Sequence, residues 1–506
     1  MATSLSSAIG SERRSRTSGY QIKKGFFTNE TNNLPQVIAI FAQGNTANQA
    51  NFSTEKKEVT SADEAGKIYG YGSPIHQIMR ILRPKSETGV GGIPTVVFPQ
   101  MEGVGFTATS LVFNVIGVAS KNTTHYIRIA GREILDFKPY SVDIVKGDTA
   151  AIISAKYSDV INNNLSCPLI ATVDGSELTL TTKWKGDSSK QLKVTFNNDG
   201  DASGITYIED EVVYGSGIVN ISNGLNQFGS HWYTCVINSY VSNSILSQFE
   251  QFNGAPTTNQ PTGRYEGSVF KPFMAFFGDV NTEDIESVTD SDDRINQVTN
   301  VLCPAPGSEG FPYEAAANVV RLFARTMQDS PEIDVNGMSY PDMPIPVSGN
   351  IGPMADYNHR DFLIKKGCST VILDKGQYVI QDLVTTYHPE GEDPLQFNYC
   401  RNINLDWNVA DAYRTLEKIR LRDKVIIRDD QVTDSLNAIK PKEWKAVLYD
   451  LFNNLATGAL INEPEFSKQS LQVNIPSTNP NRFETFFRYR RTGIARVEST
   501  TAEAGF

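Results

Sequence analysis

The chain has 506 residues, of which 40% are hydrophobic and 20% charged, with 38 Gly and 24 Pro. That length suits several folding units, each able to bury a core. The composition excludes a wholly disordered, collagen-like or coiled-coil protein, and a net charge of −11 argues against nucleic-acid binding through bulk charge.

Residues 1–20 are rich in Ser, Thr and Arg and read as a mobile arm without a secretory h-region. Gln36–Gln43 is a short β-branched apolar run, the pattern of a buried strand. Ser61 or Thr60 caps a helix through SADEAGKIYG, with Glu64 placed to satisfy a free N–H. Tyr69–Pro74 breaks it, and Ile75, Ile78, Met79 and Leu82 then recur at helical spacing. Thr95–Phe98 is a further strand. From Gly103 to Thr195 strand patterns dominate, interrupted by one helix at Thr149–Ile161, so this stretch reads as an α+β module.

From Tyr233 the pattern changes again. CVINSY is strand-like, NSILSQFEQF helix-like, and Phe270–Phe277 is an apolar run. Asn318–Met327 is helical and Pro331–Pro353 is loop. Asn358–Lys366 forms a short helix ended by Gly367, which suits a left-handed cap. Ser369–Leu373 and Gln377–Leu383 flank an Asp374-Lys375-Gly376 turn as a hairpin. Trp444, Val447, Leu448, Leu451, Phe452 and Leu455 mark one apolar stripe of a helix over Lys442–Leu455. The segment 483–499 (FETFFRYRRTGIARVES) is a strand candidate with no evident local partner.

Charge is unevenly spread. Residues 1–25 hold five basic and one acidic residue, residues 26–400 hold 25 and 42, and residues 401–506 hold 16 and 14. Basic ends could therefore meet acidic surfaces, including those of other copies. No apolar run approaches the ~20 residues that span a bilayer, so no membrane insertion is expected. Cys167, Cys235, Cys303, Cys368 and Cys400 form no C-x-x-C pair, which disfavours a disulfide framework and fits a reducing compartment.

Few residues suggest chemistry. The five His (76, 125, 231, 359 and 388) lack metal-binding spacing, and no nucleophile elbow, Walker loop or dinucleotide fingerprint occurs. Gly70–Ser73 reads as a helix-breaking turn rather than a phosphate loop, residues 197–204 as a turn rather than a calcium loop, and Asp279–Asp293 as a solvated acidic loop. No catalytic, metal or cofactor-binding residue is assigned, and no cofactor is expected. An enzyme bearing a β-rich binding module, or an adhesin binding host glycans through residues 103–195, stands as the alternative class.

Five segments carry a resemblance. They are SADEAGKIYGYGSPIHQIMRIL (61–82), HYIRIAGREI (125–134), KGDTAAIISAKYSDVINN (146–163), ELTLTTKWKGDSSKQLKV (177–194) and YNHRDFLIKKGCSTVILDKGQYVIQDLVTTY (357–387). In this order they resemble the tail sheath proteins of contractile bacteriophages, particularly the Mu-like family. The last segment keeps Arg360, Leu363, Gly367, Thr370, Gly376, Val379, Ile380 and Thr385-Thr386-Tyr387. It departs at Asp361, where Asn is usual, and at Asp382, where Arg is usual.

The resemblance implies a structural subunit, not an enzyme. Such subunits stack as six-fold rings into a helical sleeve around a tail tube, joined to baseplate and tail terminator proteins. The sleeve contracts to drive the tube through the cell envelope. The implied setting is the virion tail, assembled in the host cytoplasm, without nucleic-acid contact; the sheath of a bacteriocin-like injection particle is the alternative. The implied architecture is α+β and multidomain: an N-terminal arm at 1–25, a discontinuous α/β core body at 26–100 and 226–480, an inserted β-rich module at 101–225, and a C-terminal strand arm at 481–506.

Arms in that family add strands to a neighbouring subunit. Here the candidates are Tyr20, Ile22, Phe26 and Phe27 within Gly19–Thr28, and Phe483, Thr485, Phe487, Tyr489, Ile494 and Val497. Alternation puts Phe483, Thr485, Phe487 and Tyr489 on one face of the C-terminal strand. The competing reading is that both ends pair within their own subunit. Arg414–Arg428 carries six basic residues against Glu417 and Asp423. Read as a helix, it is the candidate tube-facing element through Arg414, Lys418 and Arg422, or else a solvated face.

Overall fold

A computed structural model describes residues 33–132, 140–197, 202–256, 260–291, 294–392 and 395–504. The candidate arm residues Tyr20, Ile22, Phe26 and Phe27 lie outside them.

The body is built on a six-stranded sheet in the order Asn300–Pro304, Met274–Asp279, Cys235–Asn238, Ile38–Gln43, Thr95–Gln100 and Lys57–Glu58. The first five run parallel and the last is antiparallel. Strands from two separated stretches of chain thus meet at the centre, where Ile38 pairs with both Cys235 and Thr95. Parallel strands need covering on both faces, which is why these runs are almost wholly apolar. On one face Ile38, Ile40, Val97, Ile237 and Phe276 join the main core with the helices Pro74–Leu82 and Pro312–Asp329. On the other, Ala39, Phe41, Phe98, Val236 and Ala275 pack with Phe228 and Phe249. Gly278 sits where the start of Pro312–Asp329 presses on the sheet; a Cβ there would lie 1.7 Å from the Pro312 carbonyl oxygen.

Local signals set the helix starts. Ser61 accepts from the Glu64 N–H, Ser73 from the His76 N–H and Thr149 from the Ile152 N–H, opening Ala62–Tyr69, Pro74–Leu82 and Ala150–Asn162. The helix expected from Asn318 begins earlier, at Pro312, because proline suits the first helical position and Glu314 reaches back to the Phe311 N–H.

Between the two halves of the body lie two antiparallel sheets. One orders Thr206–Val213, Ser110–Ile116, Glu177–Thr182 and Leu169–Asp174; the other orders Tyr140–Ile144, Thr123–Ile129 and Val194–Asn197. Helix Ala150–Asn162 packs on both, and Phe196 stacks on Tyr207 at 4.2 Å between ring centres. The region is keyed into the body. Trp184 is fully buried against Phe311, Arg128 pairs with Glu309 at 2.8 Å, and Arg132 lies 3.5 Å from Glu314.

A separate core forms near the C-terminus. Leu405, Val409, Trp444, Leu448, Phe452, Leu455, Ile461 and Val473 cluster there, with Phe483, Phe487 and Tyr489 packed against them. Helix Cys400–Arg420 serves both cores: Cys400, Ile403 and Trp407 belong to the main one, Leu405 and Val409 to the C-terminal one.

Candidate assembly interface

The C-terminal segment is placed by its own chain. Glu484–Phe486 pairs antiparallel with Gln472–Asn474, and Arg490–Arg491 with Ile461–Asn462. This corrects the expectation that the segment has no local partner. Gln472–Asn474 is only three residues long, too short to show an alternating pattern, so the pairing was not visible in the sequence.

Alternation holds from Thr485 onward. Thr485, Phe487 and Tyr489 are half-buried and Phe486, Arg488 and Arg490 exposed, whereas Phe483 and Glu484 are both half-buried. The Trp444 indole donates to Thr485 Oγ1 at 3.3 Å, and Phe487 meets Phe452 at 5.1 Å between ring centres. The Tyr489 hydroxyl donates to Asp406 at 2.8 Å, and burial pushes its pKa well up. Arg401 donates to the Thr492 carbonyl and hydroxyl oxygens. Further on, Arg496 lies over the Tyr399 ring at 3.7 Å and pairs with Asp334 and, at 2.8 Å, with Asp382. Asp382, a departure from the family pattern, therefore receives an arginine from the segment itself. Ile494 is half-buried, and Val497 is exposed.

The basic stretch Arg414–Arg428 is not one helix. Helix Cys400–Arg420 ends there, Leu421–Asp423 turns with Asp423 at φ 60°, and Val425–Ile426 pairs with Ala438–Ile439. Arg422 thus sits in the turn. Arg414 donates to the carbonyl oxygens of Gly267, Val269 and Phe270 and lies over the Phe270 ring, so it is a strut within the chain. Lys418 and Arg422 are exposed. The loop that follows exposes Val432 and Leu436 almost completely.

The segment 357–387 has a structural role. Arg360 donates to the carbonyl oxygens of Met354 and Ala355, both at 2.8 Å. Gly367 adopts φ +70°, and a Cβ there would lie 2.8 Å from the Thr386 carbonyl oxygen. Thr386 N–H donates to the Asn300 carbonyl at 3.0 Å, tying the segment to the edge strand of the main sheet. Asp361 pairs with Lys365 one turn along its helix.

Among the described residues no group of three His, Cys, Asp or Glu side chains is placed to hold a metal. No described helix is long and apolar enough to cross a membrane. All five cysteines are buried and none is in a disulfide, and burial pushes the Cys235 and Cys368 thiols up to about 12. Thiols so placed are poor nucleophiles.

No family model matches the chain. The Mu-like prophage FluMu tail sheath protein of Haemophilus influenzae is 22% identical over 439 residues, covering 85% of this chain and 84% of that protein. The chain is thus similar to a Mu-like tail sheath protein along most of both lengths. Three solved structures are also similar. The sheath tail protein of Desulfitobacterium hafniense is 11% identical with a TM-score of 0.44, covering 93% of this chain and 100% of that one. The sheath tail protein Lin1278 of Listeria innocua is 10% identical with a TM-score of 0.43, covering 90% and 95%. A chain of the anti-feeding prophage baseplate in its contracted state is 9% identical with a TM-score of 0.44, covering 97% and 99%.

Proposed function

We propose that this chain is the structural subunit of a contractile tail sheath, polymerising as a helical sleeve around a tail tube and shortening to drive the tube through a host envelope. The observation that carries this reading is the collinear relationship to a tail sheath protein along most of both chains. Absence of an ordered catalytic cluster plays no part in it. In this reading the subunit is not an enzyme, and its partners are copies of itself in six-fold rings, the tube protein, and the baseplate and terminator proteins. Its place is the virion tail, following assembly in the host cytoplasm.

The terminal segments are the proposed ties between copies. Strand Glu484–Phe486 pairs on one side with Gln472–Asn474, and a two-stranded sheet retains an outer edge that an incoming strand can satisfy. Tyr20, Ile22, Phe26 and Phe27 are the proposed incoming residues, with Ile494 and Val497 reaching onward from the donor copy. Lys418 and Arg422 are the proposed tube-facing charges. The region 101–225 is proposed to project away from the tail axis, with 26–100 and 226–480 forming the lattice-bearing body.

Negative-stain electron microscopy of the purified full chain tests this. Tubes built of stacked rings are expected, and a chain lacking residues 1–28 should remain folded but dispersed. Dispersed full-length protein at every concentration and salt condition tried would overturn the reading.

A further inference from the structure

The central sheet changes its direction of growth at one point. From Ile38–Gln43 the chain passes to Thr95–Gln100 on one side, and later returns to Cys235–Asn238 on the other. At such a switch point the loops leaving the carboxyl ends of the two strands part, and a crevice opens between them. A cavity of about 120 Å³ is lined by Ser239, Tyr240 and Ser242, which follow Cys235–Asn238 directly. Its wall also includes Asp187 and Lys190 of the inserted region, and Pro312. Ser188 donates to Gln43 Oε1 at 2.9 Å and Gln43 Nε2 donates to the Lys185 carbonyl at 2.7 Å, so this loop of the inserted region is pinned over the end of Ile38–Gln43.

The polar atoms of the cavity are under-used. Ser239 and Tyr240 are each 5% exposed, yet their hydroxyls and the buried Ser242 hydroxyl have no hydrogen-bond partner among the described residues. A buried hydroxyl left so costs about 1–3 kcal/mol, and three lining one cavity mark a place for a polar occupant. Ser242 is the N-cap of helix Asn243–Asn253 but accepts no capping bond, although a serine there ordinarily does. The loop itself is held in shape: Tyr240 N–H donates to Asn238 Oδ1 at 3.1 Å, and Asn238 Nδ2 donates to the Tyr240 carbonyl at 2.7 Å.

The surroundings set the sign and size of that occupant. Helix Asn243–Asn253 starts at Ser242 and helix Pro312–Asp329 at Pro312, so two positive dipole ends meet at the cavity. Burial holds the Tyr240 phenol protonated, as a donor. Asp187, the acid in the wall, is already paired with Lys190 at 2.9 Å, and Lys190 is exposed. A pair of this kind is weak, so Lys190 gives up Asp187 for another anion at little cost. The volume matches about four waters at about 30 Å³ each, or one tetrahedral oxyanion, and falls well below the ~300 Å³ at which pockets for larger ligands begin.

We propose that this cavity binds a single oxyanion of the phosphate class, held by the hydroxyls of Ser239, Tyr240 and Ser242, the first N–H groups of helix Asn243–Asn253, and Lys190. Because its wall is shared by the inserted region and the body, the bound anion ties one to the other. The inference does not depend on the sheath reading.

Equilibrium dialysis of the purified full chain against radiolabelled inorganic phosphate tests it, with ionic strength held constant by chloride. One phosphate per chain with saturable uptake is expected. Ser239→Ala, Ser242→Ala and Lys190→Gln should each weaken binding at least fivefold while melting in chloride stays unchanged. If a serine variant does not fold, Lys190→Gln at the exposed rim decides. Hydrogen exchange should slow on adding phosphate in both 186–191 and 239–245. Glycerol 3-phosphate run in parallel separates the free anion from a phosphate monoester: competition by it admits the monoester, and failure to compete assigns the free anion. Uptake that does not saturate, saturable uptake that Lys190→Gln and the folded serine variants leave unchanged, or protection confined to other segments would overturn the site.

Discussion

Arg491 and Asp406 form a two-pronged ion pair, with Nε to Oδ1 at 2.7 Å and Nη2 to Oδ2 at 2.5 Å. It clamps the last strand of the chain onto the helix that joins the two cores. Burial alone would lower the Arg491 pKa, but Asp406 overcomes it and the guanidinium is held above its usual value. Asp406 also accepts from the Tyr489 hydroxyl, so one carboxylate anchors two residues of the segment.

Asp406→Ala removes both anchors and leaves a largely buried guanidinium unpaired. A loss of about 2–3 kcal/mol is expected. Limited proteolysis should then cut within 482–496 well before the body. Unchanged cleavage kinetics there would show that the pair does not hold the segment.

The C-terminal core should fail independently of the main one. Trp444→Ala opens a cavity among Leu448, Phe452 and Thr485 and is expected to cost about 3–5 kcal/mol within that core. Scanning calorimetry should resolve a transition shifted to lower temperature while the remaining heat uptake stays in place. A uniform shift of one cooperative peak would count against two cores.

Much of this arrangement was legible in the residues. The caps at Ser61, Ser73 and Thr149 announced their helices, and the stripe from Trp444 to Leu455 gave the helix that is observed at Pro441–Thr457. What escaped was short or nonlocal. The two-residue strand Ile461–Asn462 has no period to detect, and its pairing with Arg490–Arg491 spans nearly thirty residues. Arg414 looked like a surface charge because nothing in its neighbourhood announces the carbonyls of Gly267, Val269 and Phe270. Continuation of the basic run as a helix failed at Leu421–Asp423, where no proline or glycine marks the turn.

Glu314 should make stability depend on pH. Burial, partly offset by Arg132 and reinforced by Asp342, raises its carboxyl from an ordinary 4.5 to about 7. Between those values the folded chain holds a proton that the unfolded chain has released, so this group favours folding as pH falls from 8 toward 5.5. The stabilisation is lost as pH rises through 7, with a slope of at most about 1.4 kcal/mol per pH unit. Glu314→Gln cannot take up that proton. Denaturation midpoints should therefore place the wild type further above Glu314→Gln at pH 5.5 than at pH 8; an equal gap at both would contradict the assignment.

Lys418 and Arg422 are exposed, so reversing them should leave folding within about 0.5 kcal/mol of wild type. Lys418→Glu with Arg422→Glu should nevertheless weaken co-assembly with the tube protein, and more so at low salt, where charge contacts are least screened. Pelleting of sheath with tube at two ionic strengths gives the answer. Co-pelleting equal to wild type at both would remove these residues from the tube contact.

Helix Cys400–Arg420 carries a mechanical implication. Trp407 is gripped by the main core and Val409, two residues on, by the C-terminal one. A force applied to the far lobe therefore enters the central sheet through a stiff shaft rather than draining into a slack tether. Reorientation of the two cores as one piece is the motion such a linkage passes on.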